Sequence, residues 1–448
     1  EKDVQSFATF DWDVDGDLDI ALTTASGSVQ LLRNDGGNLN NYLVVRLTGL
    51  RSGSGKNNVF GIGSRVEVKA GNLTQVQIVT KPVLHFGLGS NSAAEVVRVI
   101  WSNGVAQNLF NPEPRQTIVE DQILKGSCPW LYAWDGEKFN FVTDVLWSSA
   151  LGMPLGIMSG EVGYASAASS NDGHKIPGEM LKAGSAGYEL RFTSELWEAI
   201  YVERLELAAI DYPDSLEVYI DEGFRPGGSD AQTLHFVADK RYPVSAINER
   251  SEDVLPKLVQ RDGNYVSDFF PGPQQGIMNL HELILDPGDL KDEQHVKLFL
   301  FGWVFPTDAS LNFNMGQSAK HTAIPPSLEV VNAEGEWEMI NGFIGFPKGK
   351  NKMMVVDLTG AFKSDDYRIR IRTNMQVYWD EAFFGLGDPN PARERYSLPL
   401  LSADLSYRGY SEVSRKDFYS PHIPDYEIVT TGQKWRDLTG NYTRYGNV

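Results

Sequence analysis

Cysteine is almost missing from this chain. Cys128 is the one instance in 448 residues, so no intrachain disulfide can staple the fold. No run of about 18 apolar residues occurs, which excludes a membrane-spanning helix within this segment. Basic residues are outnumbered, with 40 Lys and Arg against 59 Asp and Glu and a formal net charge of −19. Nucleic acid and anionic membranes, which need clustered cations, are therefore excluded as main partners. The usual catalytic arrays are missing too. The seven histidines (His85, His174, His235, His281, His295, His321 and His422) form no His-x-x-x-His or His-Glu-x-x-His pair. There is no Gly-x-Ser-x-Gly elbow. Gly61 and Gly63 lead into a strand pattern, whereas a phosphate-binding loop needs a following helix.

What is present favours β-structure. Glycine and proline number 43 and 22, aromatics make up 11%, and the apolar share of 42% is enough for real cores. Segments alternate with period two between turn residues, as in Gly61–Gly71 and Thr74–Val79, which pair naturally as a hairpin. Trp130–Trp134 and Phe139–Val142 flank Asp135-Gly136, a hairpin signal, and Asn103-Gly104 is a second one. The chain is read as all-β, with sandwich or jelly-roll modules in its later part.

The most informative stretch is Asp11-Trp12-Asp13-Val14-Asp15-Gly16-Asp17-Leu18-Asp19-Ile20. Five carboxylates at alternate positions of one tight loop repel each other unless a cation lies among them. Calcium takes six to eight hard oxygens, and a glycine at the bend lets the backbone turn. Asp11, Asp13, Asp15 and Asp19 are read as side-chain ligands of Ca2+, and Asp17 as a ligand through its backbone carbonyl. An EF-hand is disfavoured, because strand-like residues follow the loop and no amphipathic helix flanks it.

This loop, with the strand Ile20–Thr24 and the segment Gly27–Gly37 behind it, resembles the last blade of an FG-GAP (VCBS-type) β-propeller. One blade cannot close a propeller, so the chain is expected to be a segment of a longer protein. Three further pieces resemble the ASPIC/UnbV domain: Gly61-Ile62-Gly63-Ser64-Arg65-Val66-Glu67-Val68, His85-Phe86-Gly87-Leu88-Gly89, and Val99-Ile100-Trp101-Ser102-Asn103-Gly104. From Gly126 onward the chain is similar to the extension that follows this domain in large bacterial FG-GAP proteins. The expected organisation is a blade over 1–39, an ASPIC/UnbV-like domain over 40–122, and a β-rich extension over 123–448 that divides near residue 235.

Two other features invite a chemical reading. Asp380 and Glu381 beside Trp379 are adjacent carboxylates, but neighbours in a strand point to opposite faces and do not share a site. Trp130, Trp134, Trp147, Trp303, Tyr378 and Trp379 would bind a sugar or a protein if exposed, and would fill a core if not. The function expected from the whole is that of a non-enzymatic, calcium-binding, extracytoplasmic interaction or scaffold protein. It would work with a protein partner or surface glycan, within a larger assembly. The alternative is a carbohydrate-binding module.

Overall fold

The computed structural model describes residues 3–49, 57–102, 106–122, 129–145, 171–195, 202–225, 233–270, 272, 276–307, 315 and 322–431. Cys128, Trp147, His321 and the Asn103-Gly104 turn lie outside them. The protein is all-β. The described chain divides into two compact units, one up to residue 122 and one over 129–431.

The first unit opens with a three-stranded antiparallel sheet of β1 (Val4–Phe10), β2 (Asp19–Thr24) and β3 (Val29–Leu32). Seven more strands follow: β4 (Asn41–Thr48), β5 (Arg65–Ala70), β6 (Leu73–Ile78), β7 (Leu84–Gly89), β8 (Val96–Ile100), β9 (Ala106–Phe110) and β10 (Gln116–Asp121). They build two sheets, ordered β10-β4-β7 and β6-β5-β8-β9. Period-two alternation sends Leu43, Val45 and Leu47 of β4 inward to meet Val66 and Val68 of β5, with Phe86, Val97, Val99 and Trp101 in the same core. The remaining side chains of β4 and β7, Tyr42 and His85 among them, stand on the opposite face. The expected β5–β6 hairpin is present, turning at Gly71 with φ +57°.

Among the described residues of the second unit, two large sheets share the main core, and smaller two- and three-stranded sheets accompany them. One sheet runs Asp239–Arg241, Val377–Leu386, Val296–Val304, Lys352–Asp357. The other runs Ser245–Asn248, Ile277–Asp286, Ile369–Met375, Ser327–Val331, Trp337–Asn341. Leu298, Leu300, Phe384 and Met354 of the first sheet share a core with Leu283, Leu285, Val330 and Ile371 of the second. Alternation alone would run Tyr367–Thr373 straight on through Met375–Asp380. Instead the chain turns a corner at buried Gln376 and enters the opposite sheet. The Asp135-Gly136 hairpin forms as expected, with the Asp135 carboxylate accepting the Glu137 and Lys138 amides.

Three histidines of this unit are held neutral. Burial pushes His235, His281 and His422 each down to about 4, and nearby cations add to the shift of His235 and His422. Their unfolded value is about 6.5, so below that pH the unfolded chain binds protons that the folded unit refuses. The associated stability is complete above pH ~6.5 and is lost as pH falls toward ~4. We expect the urea midpoint of this unit to decline already between pH ~6.5 and ~5, before carboxylates titrate. Replacing the three histidines by glutamine should flatten that part of the profile.

Candidate metal centre

The loop between β1 and β2 is organised by its own carboxylates. Asp11 accepts the amides of Asp15 (3.1 Å) and Gly16 (3.0 Å), and Asp15 accepts that of Asp17 (3.1 Å). These bonds curl the chain so that carboxylate oxygens of Asp11, Asp13 and Asp15 lie within 4.8 Å of one another. The turn uses positive φ at Gly16 (+97°) and at Val14 (+61°). A β-branched residue resists that conformation, so the surrounding bonds must hold Val14 there.

The other two aspartates take different parts. Asp19 is fully buried and is not in the group of three. Its oxygens accept the Trp12 and Asn34 amides, both at 2.8 Å, tying the two ends of the loop to the segment after β3. Asp17 is 4% exposed. One oxygen accepts the Asn38 amide at 3.0 Å, while the other, Oδ1, is buried without a hydrogen-bond partner. Burial, with Asp15 close by, pushes the Asp17 carboxyl above the usual carboxylate range. Asn38 also donates through Nδ2 to Asp15 at 2.8 Å. The sequence reading missed it, because its link to the loop spans 23 residues and depends on the short 3-10 turn Gly37–Leu39.

Three converging carboxylates and an unsatisfied buried oxygen are a donor set of hard oxygens, which fits a divalent cation of the calcium type. Asp13 would offer the freest ligand. Its carboxylate pairs with Arg33 at 3.7 Å.

The chemistry weighed in the second unit resolves differently. Strand pairing runs from Phe301–Glu381 directly to Gly302–Trp379, leaving Asp380 as a bulge. The bulge re-aims Asp380, so both carboxylates meet the same turn. Asp380 accepts the Gly263 amide, and Glu381 is bound by Arg261, Lys240 and Tyr242. Adjacent carboxylates do share a neighbourhood here, but as a saturated internal network. Trp130, Trp303, Tyr378 and Trp379 are buried and Trp134 half-buried, so the first four offer no platform to a sugar. A second internal cluster was not foreseen. Lys352, 0% exposed, places Nζ 3.4 Å from Asp144 Oδ1 and 3.7 Å from Glu222 Oε1. Glu222 in turn binds His174 at 2.6 Å. Burial pushes Glu222 up, but Lys352 and His174 outweigh it and its carboxyl lies below the usual value.

Compared with known families, residues 53–123 match the model described as ASPIC and UnbV, so this stretch is an ASPIC/UnbV domain. No curated protein and no solved structure matches the chain.

Proposed function

We propose that this chain is a calcium-stabilised part of a non-enzymatic, extracytoplasmic interaction or scaffold protein. The observation that carries the reading is the convergence of Asp11, Asp13 and Asp15 beside the unsatisfied Oδ1 of Asp17. A bound cation would offset the repulsion of these groups and stiffen the β1–β2 connection.

The sheet itself supports a place beside further sheets. Phe7 (70% exposed), Ile20 and Leu32 stand on one face, while Val29 (73% exposed) and Leu31 stand on the other. An edge-on sheet that is apolar on both faces suits stacking between neighbours, as in an FG-GAP propeller, and a soluble surface seldom carries so much exposed apolar area. The ASPIC/UnbV domain then follows the propeller, and its partner is a protein of the same assembly.

Calorimetric titration tests the ion. One Ca2+ per chain should bind with a Kd of order 10⁻⁴–10⁻³ M, the range of extracellular modules, and Mg2+ should bind more weakly. Calcium should also raise the unfolding temperature of the first unit. A chain that takes up no calcium at 10-fold that concentration would overturn the reading.

A further inference from the structure

We infer that His85 is a positioning residue for the calcium loop, an inference that rests on the calcium reading above. His85 lies 69 residues beyond Gly16, on the ASPIC/UnbV domain, and its Nε2 is 2.8 Å from the Gly16 carbonyl oxygen. A carbonyl only accepts, so the imidazole donates. The ring stacks on Tyr42, with centroids 5.5 Å apart and planes 14° from parallel. The Tyr42 ring in turn occupies the space where a side chain on residue 16 would begin, so only glycine fits the seat.

The Gly16 residue is therefore gripped at both ends. Its amide donates to Asp11, and its carbonyl accepts from His85. Its chain neighbours are Asp15, one of the three converging ligands, and Asp17, which holds the unsatisfied oxygen. Fixing the peptide between them before the ion arrives reduces the ordering that binding must impose, and preorganisation of this kind appears as affinity. His85 is itself well placed for the task. Its backbone carbonyl accepts from Gln77 at 2.7 Å, and its strand neighbours Leu84 and Phe86 are locked in the domain core. The alternation of β7 thus gives the His-Phe-Gly-Leu-Gly segment two jobs, with Phe86 and Leu88 packing inward and His85 reaching the loop.

The test uses the full chain with His85→Ala and His85→Gln. Calcium affinity is read by calorimetry, and the Gly16 amide by hydrogen exchange without calcium. His85→Ala should weaken calcium binding about fivefold, the factor one net hydrogen bond is worth, and should speed Gly16 exchange in the ion-free protein. His85→Gln, which keeps a donor at the same reach, should recover most of both effects. A lower melting temperature of the domain with an unchanged calcium Kd would assign His85 to packing and overturn the inference, while leaving the calcium site standing. Absence of calcium uptake by the unsubstituted chain would instead remove the calcium reading, and the positioning role with it.

Discussion

Replacing Lys352 by methionine is expected to destabilise the second unit by about 3–5 kcal/mol, the usual loss when one partner of a buried ion pair is removed. The ammonium is fully buried against Asp144 and Glu222, and it also donates to the Asp144 carbonyl at 2.5 Å and to the Thr143 hydroxyl. Methionine keeps the apolar stem, so the loss reports the charge and its hydrogen bonds. Lys350 lies 3.8 Å from the other Asp144 oxygen and can compensate in part, which favours the lower end of that range. A second substitution, Glu222→Gln, removes one of the stranded negative charges while keeping an acceptor for the Met353 amide, and should recover part of the loss. Hydrogen exchange along Lys352–Asp357 in graded urea would measure both. A change below about 1 kcal/mol would mean that the cluster is solvated in solution and contributes little.

Asp15→Asn should change the first unit in opposite directions with and without calcium. Removing one of three clustered carboxylates relieves repulsion, so the ion-free variant should be at least as stable as the parent. The ion loses a charged ligand, and affinity should fall by roughly tenfold, or ~1.4 kcal/mol. At a calcium concentration a hundredfold above the parent Kd, the parent gains about 2.7 kcal/mol from binding. The variant then sits at only tenfold excess and gains about 1.4 kcal/mol. Thermal unfolding with and without chelator would show the two melting curves change order. Equal calcium-dependent shifts in both proteins would place the ion elsewhere.

Much of this was legible in local patterns. The strands β5 and β6 and the Asp135-Gly136 hairpin follow from alternation and turn chemistry, since both act between near neighbours. The alternate aspartates of Asp11–Asp15 do converge, because the curl that gathers them is made of bonds spanning four and five residues. Asp19 looked equivalent to them in spacing, but its oxygens are taken by Trp12 and by Asn34, whose approach depends on how β3 ends. The corner at Gln376 was invisible for a related reason. Apolar alternation reads alike on both sides of a sheet change, and only the partner strands tell them apart. The Asp380 bulge is likewise a property of its pairing with Val296–Val304.

The sequence by itself therefore determined the β class, the pattern of inward-facing residues and the clustering of three carboxylates, because each depends on the geometry of a short piece of chain. Only the tertiary structure decided which polar groups are buried and what they meet. Lys352 is internal because Asp144 and Glu222 arrive beside it, and Gly16 is held because Tyr42 and His85 lie beneath it. Those encounters depend on strand register and sheet packing across tens to hundreds of residues, which no local periodicity encodes.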